Sequence, residues 1–89
     1  MASKDITEIQ KAIEAKTLVI GPDLVVKGLK NNELSAVFVS SNTPEIVRND
    51  ILHYAQLAGT RVVELQESNE DLKEVCKKTF LISIVAIKK

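Results

Sequence analysis

One cysteine, one histidine, three glycines and two prolines are all that 89 residues hold of those types, and each scarcity removes a class of protein. Cys76 alone cannot form an internal disulfide; it fits a reducing cytosol, with a buried, inert thiol as the expected state. One cysteine and one histidine, His53, leave no metal-ligand spacing and no serine–histidine–acid arrangement that spacing specifies. Gly21 is a lone glycine rather than a glycine-rich cradle. No Lys-Ser/Thr pair follows it, so a P-loop is a poor fit, and the dinucleotide pattern is absent too. The chain therefore calls for no cofactor, no metal and no catalysis. No apolar run approaches the ~18 residues of a membrane helix. The opening MASKDITEI carries no apolar signal region, so a cytoplasmic chain with no membrane partner is expected. Excess charge of one sign is missing as well: twelve Lys+Arg balance twelve Asp+Glu. Net charge gives no vote for nucleic acid, and any basic face must be local. Acids crowd residues 64–74 and bases crowd residues 73–78.

What is present is a clean apolar pattern. Hydrophobic residues make up 45% and charged residues 27%, which suits one small globular domain over residues 1–89. Ile6, Ile9 and Ile13 recur at helical spacing over residues 4–15, with Ser3 or Asp5 able to cap the start. Residues 17–20 form a short apolar run closed by Gly21. Pro22 then opens a second helix with Leu24, Val25, Gly28 and Leu29 inward, ending at Asn31-Asn32. Residues 36–39 read as a second strand. Pro44 opens a third helix, with Thr43 as its cap, carrying Val47, Ile51, Tyr54, Ala55 and Ala58 on one face and ending at Gly59. Residues 62–65 read as a third strand. Ser68 caps a short fourth helix with Asp71 completing a box, and Leu72, Val75 and Cys76 inward. Residues 80–87 read as a last strand covered on both faces. This alternation predicts an α/β sandwich with helices on both sheet faces.

Both prolines stand at strand-to-helix junctions, VIGPDL and VSSNTPEI. If the two strands are parallel, both helix starts lie at the same end of the sheet. A helix start offers free N–H groups and partial positive charge, and so attracts anions. Gly21 permits close approach, and Lys27 follows within reach of a phosphate. The same Gly-Pro pair also makes an efficient turn with no ligand. Asp23 and Glu45, near the two starts, repel phosphate unless they bond base edges. Lys77-Lys78-Thr79-Phe80 combines charge with a ring, as an unpaired RNA base requires; taken alone, the sequence favours Phe80 as a core residue at a strand start.

Three motifs stand in order: Asn42-Thr43-Pro44, Ile-x-x-Tyr-Ala-x-Leu at residues 51–57, and Cys-x-Lys-x-Phe at residues 76–80. With Gly21 and Lys27 they resemble the kink-turn RNA-binding superfamily of ribosomal proteins over nearly the whole chain, most closely its L-thirty-e branch. The resemblance implies a three-layer α-β-α sandwich around a four-stranded mixed sheet, and binding to a sharply bent internal loop of structured RNA, with ribosomal RNA the default target. It implies a ribosome-associated, non-catalytic protein that touches RNA through Gly21, Asp23, Leu24, Lys27, Ser41, Asn42, Lys77, Lys78 and Phe80. Other ribosomal proteins are implied neighbours, and a monomer is expected in the free state. The sequence departs from the family where Asp23-Leu24 replaces more polar or basic residues. It departs again where Lys73 and Lys77 replace two loop glycines, which predicts another path for that loop. A protein-interaction module of the same fold with weakened RNA binding is the second reading, and a nucleotide-binding enzyme at the Gly21 helix start is the third.

Overall fold

Apolar spacing and turn residues divide the chain into eight elements in a computed structural model that describes residues 4–89, with side chains described from residue 6. The order is α1 (Lys4–Ala15), β1 (Leu18–Ile20), α2 (Pro22–Lys30), β2 (Leu34–Val39), α3 (Glu45–Ala58), β3 (Arg61–Glu64), α4 (Asn69–Val75) and β4 (Ile84–Lys88). The Ser3 or Asp5 cap expected for α1 lies outside what is described. No described helix is long and apolar enough to cross a membrane.

The strands form one sheet in the order β1-β4-β2-β3. β4 runs antiparallel to both β1 and β2, and β2 is parallel to β3. β1, β2 and β3 therefore point the same way, and their C-terminal ends share one end of the sheet with the start of β4. The sheet is mixed and four-stranded, as the family resemblance implied.

Alternation along the central strands builds two cores, one per face. Ala36, Phe38 and Val85 pack with Ile6 and Ile9 of α1 and Leu72 of α4. Val37, Val39, Ile84 and Ala86 pack with Val25 and Leu29 of α2 and Ile51 and Ala55 of α3. Both faces of β2 and β4 are thus covered, which is why residues 36–39 and 84–87 are apolar at every position. On the second face α2 sits close to the sheet: a methyl group at Gly28 would lie 2.9 Å from the Leu34 side chain.

All four helices end on a residue in the left-handed region: Lys16, Asn32, Gly59 and Lys77. Each end closes with the same pair of bonds. After α4, Lys77 N–H donates to Glu74 O at 3.1 Å and Lys78 N–H to Lys73 O at 3.0 Å. After α3, Gly59 N–H donates to Gln56 O and Thr60 N–H to Ala55 O. These are Schellman closures, which satisfy carbonyls the helix leaves free. Glycine or asparagine closes α3 and α2 at little steric cost. Lysine closes α1 and α4, against the preference of any residue with a Cβ.

Four expectations need correction. Leu24 is 57% exposed instead of facing inward; Val25, Gly28 and Leu29 take the buried face of α2. Thr43 does not cap α3, whose N-cap is Pro44 with no side-chain bond; the Thr43 hydroxyl lies 2.6 Å from Ser40 Oγ and reaches the Ser83 carbonyl instead. β2 begins at Leu34, two residues early. β4 begins only at Ile84, four residues late, because pairing with β1 and β2 stops where Ile20 and Val39 end. Phe80 and Leu81 consequently lie outside the sheet.

Candidate nucleic-acid interface

Three helices start at the end of the sheet where β1, β2 and β3 finish, and they are not equivalent. α4 is closed by a capping box: Ser68 Oγ accepts Asp71 N–H, and Asp71 Oδ2 accepts Ser68 N–H at 3.0 Å. α2 has no side-chain cap. Pro22 has no N–H to satisfy, and the N–H groups of Asp23 and Leu24 have no acceptor among the described residues. α3 is open in the same way, with the N–H groups of Glu45, Ile46 and Val47 unclaimed among the described residues. Two open helix starts at one end of a sheet concentrate N–H donors and positive potential there.

Gly21 makes the first of these starts possible. Its φ of 100° with ψ of 150° is a region that residues with a Cβ do not adopt without strain. Its own N–H is spent on Ile84 O across the sheet at 2.9 Å, so the free donors are those of Asp23 and Leu24, not of Gly21. The glycine acts by aiming the chain.

A polar network fixes the turn between β2 and α3. Ser40 is buried; its main-chain N–H donates to Ser83 O at 2.8 Å, and its hydroxyl donates to Asn42 Oδ1 at 3.2 Å. Asn42 Oδ1 also accepts the N–H of Asn69 at 2.9 Å, while Asn42 Nδ2 donates to Asn69 Oδ1 at 3.0 Å. Ser41 N–H donates to Glu67 O at 2.9 Å, leaving the exposed Ser41 hydroxyl without a partner among the described residues. Asn42 is thus a strut between β2 and α4 before it is anything else.

Exposed apolar side chains also occur on the segments that lead to and from this end, beside the exposed Asp23 and Glu45. Leu24 (57%), Ile46 (78%), Phe80 (55%) and Leu81 (55%) are all exposed. They come from α2, α3 and the approach to β4; Leu24 and Phe80 are two of the contacts that the family resemblance implied. β4 lies between β1 and β2, so the segment of residues 80–83 that precedes it leads in between the ends of those two strands.

The two lysines of the last motif are separated. Lys78 lines a groove with Leu18 and Ile20 of β1. Lys77 lines a different groove, against Gln10 and Glu14 of α1, one helix length of about 10 Å from the capped start of α4. Lys77 has a φ of 54°, so the backbone turn that a glycine favours is kept despite the lysine. Between them Cys76 is buried, and burial pushes its thiol pKa up, with the charge of Lys78 pulling partly back. That is an inert thiol, as the composition suggested.

Gly21, Asp23, Leu24, Ser41 and Asn42 therefore stand at one end of the sheet, with Phe80 on the approach to β4; Lys27, in the last turn of α2, and Lys77 and Lys78, after α4, are set back from it. Sequence reasoning missed Ser40 and Asn69. Ser40 opens the polar run that ends β2, a usable signal; Asn69 follows the Ser68 cap, and nothing local marks it.

The family model for "Ribosomal protein L7Ae/L30e/S12e/Gadd45 family" matches residues 6–89. The chain belongs to this ribosomal protein family. Among its relatives is the large ribosomal subunit protein eL30 of Methanococcus maripaludis, 32% identical over 79 residues, which are 89% of this chain and 79% of that protein. The eL30 of Saccharolobus solfataricus is 30% identical over 80 residues, 90% of this chain and 74% of the relative. Solved structures share the fold. A protein of unknown function from Bacillus halodurans superposes with a TM-score of 0.88 at 19% identity, covering 99% of this chain and 87% of its own. The Giardia lamblia 15.5kD RNA binding protein does so with 0.84 at 13% identity, covering 100% and 78%. The L7Ae/L30e assignment thus rests on sequence, and the sandwich on both.

Proposed function

We propose that this protein is a non-catalytic RNA-binding protein of the ribosome that recognises a kink-turn in structured RNA, with large-subunit ribosomal RNA as its target. The observation that carries the reading is the pair of open helix starts, α2 and α3, at one end of the sheet, with the exposed Phe80 on the approach to β4 between β1 and β2. Relatives named as large ribosomal subunit proteins support the ribosomal setting, and with it a cytoplasmic, ribosome-associated location beside other ribosomal proteins. The protein is a monomer when free.

Recognition is by shape and backbone, with few base contacts. The N–H groups of Asp23 and Leu24 receive phosphate or base acceptors. Lys27 and Lys78 neutralise phosphates on either flank, and Lys77 meets a more distant one. The Asp23 carboxylate accepts from guanine N–H groups. Phe80 stacks an extruded base, with Leu24 and Leu81 packing beside it, and the Ser41 hydroxyl bonds a phosphate or 2′-OH. Asn42 holds this surface in register and offers its remaining amide hydrogen.

Salt dependence tests the proposal. Three lysines on phosphates give a slope of log affinity against log salt of about −2 to −3. A flat response with kink-turn RNA would count heavily against it. Asp23 and Glu45, each in the first turn of an open helix, favour a second reading: a protein-interaction module in which RNA binding has weakened. Charge reversal at Lys27 or Lys78 abolishes RNA binding in the first reading and leaves binding of a partner at the open helix starts largely intact in the second.

A further inference from the structure

The two lateral edges of the sheet are finished differently. β3, on one side, is spanned from both layers by ion pairs: Arg61 to Glu8 of α1 at 3.0 Å, and Glu64 to Arg48 of α3 at 3.1 Å. β1, on the other side, has no such pair among the described residues. Its ladder with β4 includes Lys88 N–H to Thr17 O and Gly21 N–H to Ile84 O, both at 2.9 Å. In an antiparallel ladder the bonded positions alternate, so Val19 pairs inward while the N–H and C=O groups of Leu18 and Ile20 point outward. No described group meets them.

A groove flanks this open strand on each face. On the α2 face a groove of ≈ 380 Å³ is lined by Leu24, Gly28 and Leu34 and rimmed by Lys27 and Lys88, with Glu33 the only acid. On the α1 face a groove of ≈ 270 Å³ is lined by Ile13 and Cys76 and rimmed by Lys16 and Lys78. None of the four lysines has an ion-pair partner among the described residues.

We propose that β1 is a docking edge for an extended, acid-flanked segment of a partner protein, which adds to the sheet as a further strand. Main-chain bonds to Leu18 and Ile20 hold the segment. Its side chains alternate between the two faces, so consecutive apolar residues enter the two grooves in turn. Carboxylates on either side of the apolar residues meet the four lysines. The same lysines oppose a second copy of this chain, since pairing β1 with β1 brings the lysine rims of the two copies' grooves together, and charge beside an edge strand guards against self-association. Free strand polarity and apolar grooves suit a peptide strand better than a nucleic-acid backbone, which needs phosphate donors rather than a hydrogen-bonding ladder.

The test is an NMR titration of the whole chain with a blocked peptide, Asp-Glu-Ile-Val-Ile-Glu-Asp, beside its lysine-flanked counterpart, Lys-Lys-Ile-Val-Ile-Lys-Lys. The expected result is that the amides of Leu18 and Ile20 shift and exchange at least tenfold more slowly with the acidic peptide, which binds at least tenfold tighter than the basic one. A Lys16→Glu, Lys88→Glu double variant, which changes no residue assigned to RNA above, weakens the acidic peptide at least tenfold and leaves kink-turn RNA affinity unchanged. Unperturbed Leu18 and Ile20 amides, or equal binding of the two peptides, would overturn the proposal. So would a loss of RNA affinity in the double variant, which would assign these lysines to the nucleic-acid surface.

Discussion

Asn42 and Asn69 face each other across the end of the sheet and exchange two bonds: Asn42 Nδ2 donates to Asn69 Oδ1, and Asn42 Oδ1 accepts the Asn69 N–H. The pair ties the turn after β2 to the first residue of α4, 27 positions along the chain. Asn42→Ala is expected to lower stability by about 1 kcal/mol, since the network is part-exposed. A double-mutant cycle with Asn69→Ala, followed by urea denaturation, is expected to give a coupling of about 0.5–1 kcal/mol. Additive losses would mean that the two side chains stand independently.

Lys77 separates stability from binding. It holds a left-handed backbone at φ 54°, which costs a residue with a Cβ roughly 1–2 kcal/mol. Lys77→Gly relieves that strain, partly offset by the freer unfolded chain, for a net gain of about 0.5–1 kcal/mol. Lys77→Ala keeps the strain and brings no such gain. If Lys77 meets a phosphate, both variants reduce the salt slope of RNA binding by about 1. Thermal or urea unfolding checks the first half, and binding at several salt concentrations the second.

Gly21→Ala is a pure backbone experiment, because a methyl group there meets nothing within 4 Å. The expected cost is about 1–3 kcal/mol from the φ of 100° alone. Gly21→Ser should cost about the same in urea denaturation. A large gap between the two would point to a contact absent from this account.

The two phenylalanines are expected to behave in opposite ways. Phe38 is fully buried in the core between the sheet and α1 with α4, so Phe38→Ala should cost about 3–5 kcal/mol of stability. Phe80 is exposed, so Phe80→Ala should change stability by no more than about 0.5 kcal/mol while weakening RNA binding by about 1–3 kcal/mol through lost stacking. Parallel denaturation and binding measurements on both variants separate the roles.

The course of these elements shows what local sequence carries. Ile6, Ile9 and Ile13 mark α1, Asn32 and Gly59 mark helix ends, and Ser68 with Asp71 marks a cap, because each signal acts within about one turn. The errors share a different cause. Residues 80–87 are apolar except for Ser83 and carry no phase of their own, so the start of β4 was legible only from where β1 and β2 end. Thr43 looks like a cap until Ser83, 40 residues on, takes its hydroxyl. At the candidate site the turn residues Gly21 and Pro44 could be read directly. Leu24 and Phe80 came from the family resemblance, and the exposure of Ile46 and Leu81 was not read, since it depends on where α3 and β4 begin.

The central claim is that two open helix starts and the Phe80 ring recognise a kink. It is tested most directly by an electrophoretic shift of the wild-type protein with a consensus kink-turn RNA and with a version disabled by substitutions at its guanine pairs. The account predicts a retarded complex with the first and at least tenfold weaker binding to the second. Equal affinity for both, or binding to neither, would contradict it.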